Sequence, residues 1–369
     1  MIERRTFLAG LAGAATLLPA QKAAGQQGVQ RYSKPVVDAH VHWYPQDFVD
    51  LLVKEGPANG AQILGPDKDG DYTVKVPGGQ WYLPNGSPLR REMRDFDIIL
   101  KQMDERHIDI YALSMTNPMV YWAPPEFALR LSQVANDGTS AAHLKYPSRF
   151  VGTIMLPLQD PQLSLQELER AAKLPGMRGI NMGEHVNGKN LCDKSFWPLW
   201  ERCEALGLPL FLHNLNPTDH ERLVEKDFSM INVLGNPFEA GIAAEVLVLG
   251  GVMDAFPKLE VYLPHAGGTF PWLVWRTDFA QKYNGNFTYM KQPASSYLRR
   301  FYYDLIIHDP KLLRVLIDMV GADRIVSGTD FPQGMAVKRP VELVESIPGV
   351  TQRERELILC ENPARLLKL

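Results

Sequence analysis

Two histidines stand out as residues that could do chemistry together. A short apolar, β-branched run, residues 36–39, leads directly into His40 and His42. Side chains two residues apart in a strand point to the same face, so this stretch predicts two imidazoles side by side at the carboxyl end of a strand. Such a pair can bind a divalent metal. Taken alone, the pair fits better with one buried and one surface histidine in an edge strand.

Three further residues of metal-binding type end other predicted strands. His213 closes an apolar run that begins at residue 207, His265 closes one that begins at residue 261, and Asp330 closes one that begins at residue 325. Five candidate ligands therefore lie at four strand ends, although the chain has only nine histidines. That placement favours the metal interpretation over chance.

The elements that must position these residues alternate along the chain. Eight strands, each followed by a helical segment, are predicted over 36–40, 108–115, 150–156, 177–182, 208–213, 259–265, 301–306 and 324–329. This order predicts an α/β fold, a (β/α)8 TIM barrel over residues 34–369, with a small insertion after strand 1 at about residues 56–89. A doubly wound sheet is the alternative, but no glycine-rich dinucleotide fingerprint follows any strand.

The carboxyl ends of barrel strands meet on one face, so the candidate ligands are expected to meet there. Three imidazoles and one carboxylate suit Zn²⁺, with Mn²⁺ and Fe²⁺ as alternatives, and they leave a position for water. Water on such a metal has a pKa near 7. Strand 4, residues 177–182, has no lysine that could become a carbamylated bridge, so we expect one divalent metal ion rather than two.

Composition argues against several kinds of partner. The formal net charge is −3, and no basic block alternates with aromatic residues, so nucleic acid is not an expected partner. No apolar run is long enough to span a bilayer in the mature form. The three cysteines are scattered without CxxC spacing, so neither a disulfide framework nor a zinc knuckle is predicted.

The first residues predict a targeting segment. Arg4 and Arg5 precede Phe7-Leu8 and a mildly apolar stretch rich in alanine and glycine. This pattern is typical of a twin-arginine signal peptide, which we assign to residues 1–27. A periplasmic or secreted protein is then expected, or a cytoplasmic one if the signal is not used. The alternative is a basic tail before a core helix.

From about residue 36 to the C-terminus, the chain resembles the aminocarboxymuconate-semialdehyde decarboxylase family of the metal-dependent amidohydrolase superfamily. The motifs that carry the resemblance are Asp38-Ala-His-Val-His-Trp-Tyr-Pro45, Pro118-Met-Val-Tyr-Trp122, the stretch 191–200, Pro264-His-Ala-Gly-Gly268 and Gly328-Thr-Asp-Phe-Pro332. The sequence departs from the family where His265-Ala-Gly-Gly replaces a histidine followed by three glycines.

The resemblance implies roles for individual residues. It implies that the metal ligands are His40, His42, His213 and Asp330, and that His265 is the catalytic acid/base beside Asp330. It also implies a substrate-binding arginine at Arg276. A second arginine is expected from Arg90, Arg91 or Arg94, of which we choose Arg91.

The expected activity is non-oxidative decarboxylation of an unsaturated or aromatic carboxylic acid, with a small-molecule carboxylate as substrate. Trp43 is a candidate for lining an apolar substrate pocket. The alternative is a metal-dependent hydrolase, a lactonase or amidohydrolase, that uses metal-bound hydroxide. A non-catalytic metal-binding subunit is disfavoured because the ligand set and His265 are complete. A homodimer is expected, and the apolar strip at residues 242–249 would suit its interface.

Overall fold

The computed structural model describes residues 32–79, 86–215, 223, 229–284, 287 and 289–369. The predicted signal peptide, residues 1–27, lies outside these described residues. The strands are β1 (Val37–His42), β2 (Gln62–Leu64), β3 (Tyr72–Lys75), β4 (Ser87–Leu89), β5 (Ile110–Ser114), β6 (Phe150–Met155), β7 (Met177–Gly183), β8 (His185–Val186), β9 (Lys189–Asn190), β10 (Leu210–His213), β11 (Val261–Leu263) and β12 (Phe301–Tyr303).

The helices alternate with the longer strands. They are α1 (Gln46–Glu55), α2 (Phe96–Glu105), α3 (Pro125–Lys145), α4 (Pro161–Ala171), α5 (Trp197–Leu206), α6 (Asn236–Leu249), α7 (Val252–Ala255), α8 (Phe270–Gln281), α9 (Pro310–Val320), α10 (Pro340–Glu345), α11 (Gln352–Glu356) and α12 (Asn362–Leu366). Among the described residues, no helix is long and apolar enough to cross a bilayer.

Sequence chemistry sets where several helices begin. Asp309 stands before Pro310, and its side chain accepts hydrogen bonds from the backbone N–H groups of Lys311 and Leu312 at 2.8 and 3.0 Å. Asp160 caps α4 in the same way, also before a proline. An aspartate at the cap satisfies free N–H groups, and proline at the first helical position loses no hydrogen bond. These caps fix the entry of each helix after its strand.

Seven strands form one parallel sheet in the order β1-β5-β6-β7-β10-β11-β12. Apolar side chains from its strands fill the space it encloses, and the C-terminal leucines cover one end. The buried cluster is Val37, Ala39, Ala112, Val151, Phe211, Tyr262, Tyr302, Val326, Leu366 and Leu367. The architecture is therefore α/β with a curled, TIM-barrel-like parallel sheet.

The predicted eighth strand, residues 324–329, does not form a regular strand. The segment 325–331 instead makes single parallel bridges to both edges of the sheet, Tyr303 with Ile325 and Val41 with Phe331. Hydrogen bonds of 2.8 Å join Val326 N to Tyr303 O and Ala39 N to Ser327 O. We call residues 325–331 the closing segment, because it joins β12 to β1.

Local geometry explains why the closing segment is irregular. A Cβ added at Gly328 would lie 2.3 Å from the Tyr262 hydroxyl and 3.1 Å from the Cβ atoms of His40 and Asp304, so only glycine fits this close approach. Asp330 has a φ of 62°. A left-handed residue ends the extended backbone that a strand needs.

The insertion after β1 differs in detail from a simple hairpin. Its strands β2, β3 and β4 form a three-stranded antiparallel sheet, with Ile63 opposite Val74 and Thr73 opposite Pro88. Residues 72–75 of the alternating stretch form the central strand, as a strand pattern predicts.

A buried ion pair lies beneath the closing segment. Arg106, at the end of α2, donates from Nη2 to Asp38 Oδ2 at 3.2 Å and to Thr329 Oγ1 at 2.8 Å. Its guanidinium also lies 4.1 Å from the centroid of the Phe331 ring. Burial raises the pKa of Asp38, and the charge of Arg106 opposes that rise. The pair thus ties β1 to the closing segment.

We expect Arg106→Met to lower the free energy of unfolding by about 3–5 kcal/mol, because it leaves the Asp38 carboxylate buried without its counter-charge. Urea unfolding measures the change. The matched control is Arg91→Met, which removes an exposed pair with Asp95 and should cost less than about 1 kcal/mol. Equal effects of the two substitutions would contradict the role given to the buried pair.

Candidate metal centre

A bulge in β1 directs both predicted histidines into the enclosed space. The pairing of β1 with β5 shifts register between Asp38 and Val41. Val37 and Ala39 belong to the interior cluster, so regular alternation would turn His40 away from it. The bulge adds a residue and turns His40 inward beside His42. The two imidazole centroids are 4.9 Å apart.

Four of the predicted residues meet at one point. One ligand atom from each of His40, His42, His213 and Asp330 lies within 4.8 Å of the others, and all four residues are buried. His42 Nε2 lies 2.7 Å from Asp330 Oδ1 and 3.0 Å from His213 Nε2. His40 Nε2 lies 3.6 Å from Asp330 Oδ1. The structure thus brings residues from β1, β10 and the closing segment together.

Electrostatics favours the metal-binding protonation states for most of this set. Burial holds the pKa of His213 well below its ordinary value, and the neighbouring His42 and His40 add to that effect. Burial also lowers the pKa of His42. For Asp330, burial raises the pKa, but the hydrogen bond with His42 and the nearby histidines outweigh it, so the pKa is lowered. Neutral imidazoles and an ionised carboxylate are the forms that bind metal.

The pKa of His40 is shifted in the opposite direction, upward. Burial lowers its pKa, but the hydrogen bond to Asp304 and the charges of Asp330 and Asp304 outweigh burial, so the pKa is raised. Its Nε2 atom is buried and has no hydrogen-bond partner. The raised pKa favours the protonated form of this imidazole, and a proton on Nε2 must leave when a cation binds there.

The cluster fits a divalent metal. Two imidazole nitrogens at 3.0 Å can share at most one proton, so their lone pairs otherwise repel. At metal–nitrogen distances of 2.0–2.1 Å, the ligand atoms of a tetrahedral ion lie about 3.3 Å apart. The separations of 2.7, 3.0 and 3.6 Å quoted above lie on either side of that value, and a cation would satisfy both the facing nitrogens and the unpartnered Nε2 of His40.

His265 lies next to the cluster but is not part of it. It follows β11, is buried, and its Nε2 lies 3.3 Å from Asn214 Oδ1. Burial is the largest cause that lowers its pKa. The imidazole is therefore neutral near pH 7 and can accept or donate a proton beside the cluster.

Asp304, which follows β12, contacts both the cluster and His265. Its Oδ2 accepts hydrogen bonds from the Tyr262 hydroxyl at 2.9 Å and from His265 N at 3.1 Å. The same oxygen lies 3.5 Å from His40 Nδ1. Its Oδ1 accepts from Ala266 N at 2.7 Å and from Ile306 N at 2.9 Å.

Two polar residues complete the surroundings of His213. Its Nδ1 lies 2.8 Å from the backbone oxygen of Asn214, which leaves Nε2 free to face the cluster. Thr116 Oγ1 lies 3.3 Å from that Nε2. Contacts on the far nitrogen of a ligating histidine fix its orientation.

The predicted substrate-binding arginines have other partners or are exposed in the part of the chain that the structure describes. Arg91 is exposed and pairs with Asp95 at 2.9 Å. Arg94 donates to Gln46 Oε1 at 2.8 Å. Arg90 extends to the loop that follows the closing segment, where it donates to the backbone oxygen of Pro332 at 3.2 Å. Arg276 lies on an exposed face of α8.

Trp43 also lies apart from the cluster. It follows His42, and its ring packs against Phe96 of α2 with centroids 5.6 Å apart. A residue next to an inward-facing one in a strand points outward. The indole therefore packs in the layer between β1 and α2, where it contributes to the core rather than to the enclosed site.

Neither Asp304 nor Asn214 is among the site residues that the sequence predicts. Both stand at the carboxyl end of barrel strands, one residue beyond Tyr303 and His213. The strand-end rule that identified the histidines would have identified these residues too. Only the folded arrangement shows which groups they contact.

Comparisons with known proteins identify relatives along nearly the whole described chain. The family profile described as Amidohydrolase matches residues 37–369. The 2-amino-3-carboxymuconate-6-semialdehyde decarboxylase of Dictyostelium discoideum is 29% identical, covering 90% of this chain and 91% of that protein. The gamma-resorcylate decarboxylase of a Polaromonas species is 32% identical, covering 66% of this chain and 79% of that protein.

A solved structure has the same architecture. The dihydroxybenzoic acid decarboxylase from Polaromonas, with bound manganese and the inhibitor 2-nitroresorcinol, superposes with a TM-score of 0.72. It is 26% identical, and the match covers 91% of this chain and 97% of that chain. Its bound metal supports a single divalent metal site in this fold.

We expect His42→Ala and Asp330→Ala to abolish stoichiometric metal binding, because each removes one of four ligands. The affinity should fall by more than the roughly 10–100-fold that loss of an outer partner costs. Elemental analysis of purified protein by plasma mass spectrometry measures the metal content. His143→Ala is the control, because this α3 histidine contacts the Phe150 carbonyl instead. Full metal content in Asp330→Ala would refute the ligand set.

Proposed function

This chain belongs to the amidohydrolase family, and we propose that it is a metal-dependent, non-oxidative decarboxylase of an unsaturated or aromatic carboxylic acid. His40, His42, His213 and Asp330 hold one divalent metal ion. His265 is the acid/base. The relatives named above are decarboxylases of an unsaturated semialdehyde acid and of an aromatic acid, which supports this reaction class.

The observation that carries the proposal is the position of His265. Its ring shares Asn214 with the candidate ligand His213, and its backbone shares Asp304 with the candidate ligand His40. It is nevertheless outside the group of four that could hold a metal. A neutral imidazole beside a metal, and free of it, has the position that proton transfer to a bound substrate requires.

A bound divalent metal supplies Lewis-acid polarisation of a substrate oxygen. Side chains of the protein supply the proton transfer. His265 takes up a proton from water and delivers it to the substrate carbon that bears the carboxylate, so that a C–H bond forms and the imidazole returns to its neutral form. The C–C bond to the carboxylate then breaks, its electron pair restores the conjugated system, and CO₂ leaves. Burial of His265 excludes bulk water from this transfer.

Three divalent ions, Zn²⁺, Mn²⁺ and Fe²⁺, are candidates for the bound metal. The set of three imidazoles and one carboxylate favours Zn²⁺, which remains our choice. The dihydroxybenzoic acid decarboxylase relative holds manganese, and Fe²⁺ has the same ligand preferences. Metal analysis of the purified protein distinguishes these ions.

The substrate is proposed to be a small carboxylate. Arg90 is the best placed of the loop arginines to meet it, because its guanidinium contacts the loop that follows Asp330. Arg276 remains the predicted second anchor, since a planar guanidinium can engage both oxygens of a carboxylate. Arg91, fixed on the surface by Asp95, fits this role less well.

Hydrolysis uses the same type of site, and it is the alternative reaction. A lactonase or amidohydrolase would need His265 to protonate a leaving group rather than a carbon. The relatives at 29% and 32% identity are both carboxy-lyases. We therefore favour decarboxylation.

We expect the wild-type protein to release CO₂ from at least one acid in a panel that includes gamma-resorcylate and 2-amino-3-carboxymuconate-6-semialdehyde. His265→Ala should lower kcat by about 10²–10⁴-fold, the usual contribution of a general acid/base, while metal content is unchanged. Coupled CO₂ detection measures the rate, and His143→Ala is the control. Ring opening of a lactone without CO₂ release would favour the hydrolase, and loss of metal from His265→Ala would overturn the ligand assignment.

We also propose that the protein is a homodimer that forms through α8. The outward face of this helix and the turn after it exposes Trp275, Phe279 and Tyr283, of which 52%, 61% and 75% remain accessible. Phe238, at the start of α6, is a further exposed aromatic residue, and α6 packs against α8. The strip at residues 242–249 suits an interface less, because none of its residues is exposed.

The size of this face supports a second copy of the chain as its partner. Each aromatic side chain presents about 150–250 Å² when fully exposed. At these exposed fractions the four aromatic residues present about 350–600 Å², which is a large part of the roughly 800 Å² per partner of a stable interface. A patch of that size is at the upper end of what monomers expose, and such patches are often functional.

We expect Phe279→Glu to convert a dimer into a monomer, because a carboxylate would be buried unpaired at the interface. Sedimentation velocity measures the change in mass. Val315→Glu on α9 is the matched control, as Val315 is a similarly exposed apolar residue outside the face. A monomeric wild-type protein would contradict the dimer.

A further inference from the structure

Hydrogen-bond donors of the protein occupy the lone-pair sites of the Asp304 carboxylate, so none is left for a metal or a substrate. The donors to its carboxylate are the Tyr262 hydroxyl and the backbone N–H groups of His265, Ala266 and Ile306, at 2.7–3.1 Å. His40 Nδ1 approaches at 3.5 Å. A carboxylate offers about four lone-pair sites, so all of them are taken. A fully buried carboxylate that is saturated in this way acts through its neighbours.

One effect of this carboxylate is on the backbone that carries His265. His265 and Ala266 both have a φ of 54°, in the left-handed region that non-glycine residues avoid. Two successive N–H groups in such a turn form a concave site for an anion, and here the anion is Asp304. The strained conformation persists only if surrounding groups hold it. Asp304 therefore sets the direction in which the His265 ring leaves the backbone.

The other effect is on His40. Asp304 Oδ2 faces Nδ1 of this imidazole, so the Nε2 atom points to the candidate metal position. Gly328 packs against both residues, with no room for a side chain between them. Outer carboxylates that contact a ligating histidine fix its tautomer and raise its basicity.

Like Asp304, Asn214 contacts both a candidate metal ligand and His265, but it does so through two different atoms. Its backbone oxygen contacts His213 Nδ1 at 2.8 Å, whereas its side-chain Oδ1 contacts His265 Nε2 at 3.3 Å. Among the hydrogen bonds of the described residues, removing the side chain therefore breaks the one with His265 and keeps the one with His213. Asn214 thus provides a matched comparison for Asp304, whose single carboxylate serves both partners.

We propose that Asp304 is a positioning residue that links the metal ligand His40 to the acid/base His265, while the Asn214 side chain positions the ring of His265 alone. The inference rests on the proposed function for the role of His265. Loss of Asp304 should disturb metal binding and proton transfer together. Loss of the Asn214 side chain should disturb proton transfer only.

The test compares Asp304→Asn with Asn214→Ala. Zn²⁺ affinity is measured by competition with a chromogenic chelator, and kcat and KM are measured at saturating metal. Asp304→Asn should weaken Zn²⁺ binding about 10–100-fold and also lower kcat. Asn214→Ala should keep Zn²⁺ affinity within about twofold and lower kcat about 10-fold or more, with KM little changed, because misorientation affects the reacting geometry.

A third readout does not require turnover. Diethyl pyrocarbonate modifies accessible imidazoles, and mass spectrometry of the modified peptide gives the rate for His265. Both variants should increase that rate, because Asn214→Ala removes a contact of the ring and Asp304→Asn weakens the contacts that hold the backbone of His265. If the wild-type protein binds one Zn²⁺ but decarboxylates no acid, the proposed function fails. The affinity difference and the modification rates then still decide the linkage.

Tyr262→Phe is a milder change at the same carboxylate, and it tests the proposal if Asp304→Asn does not fold. It removes one donor to Asp304 Oδ2 and leaves the ring contact between Asn214 and His265 in place. We expect smaller losses in both Zn²⁺ affinity and kcat, in a chain whose circular dichroism matches the wild type. Unchanged affinity and unchanged kcat in a folded Asp304→Asn or Tyr262→Phe would overturn the proposal, as would loss of Zn²⁺ affinity in Asn214→Ala.

Discussion

The site depends on the hydrogen bonds that join β1 to the closing segment. His40 O accepts from Asp330 N at 2.8 Å, and His42 N donates to Phe331 O at 2.8 Å. The two histidines and Asp330 are thereby held face to face by the main chain itself. The buried pair of Arg106 and Asp38 fixes the same junction from the helix layer. A shift of one strand would separate the carboxylate from the imidazoles.

Much of the fold follows from local patterns in the sequence. Strand ends such as His42 and His213, and Asp-Pro helix starts such as Asp309, are properties of short segments, so periodicity and turn chemistry predict them. The irregular closing segment was not predicted as such, because its shape depends on the close approach of Gly328 to Tyr262 and His40. The bulge in β1 is likewise set by pairing with β5, which no single segment encodes.

The residues of the candidate site also fall into those that the sequence places correctly and those that depend on tertiary packing. Barrel geometry alone gathers strand-end residues, so the cluster of His40, His42, His213 and Asp330 could be anticipated from the sequence. Side chains on loops and helices are not placed by that rule. Arg91 lies on the surface with Asp95, and Trp43 packs on Phe96. Their positions depend on tertiary packing between segments that are distant in the chain.

The span of the chain between the candidate ligands has a consequence for biosynthesis. His40 stands near the beginning of the described chain and Asp330 near its end, and the closing segment joins the two edges of the sheet that carry them. A nascent chain that has not yet been synthesised to residue 330 therefore lacks the complete ligand set. Binding of a cation by all four ligands can follow only once residue 330 has been made and the closing segment has joined β12 to β1.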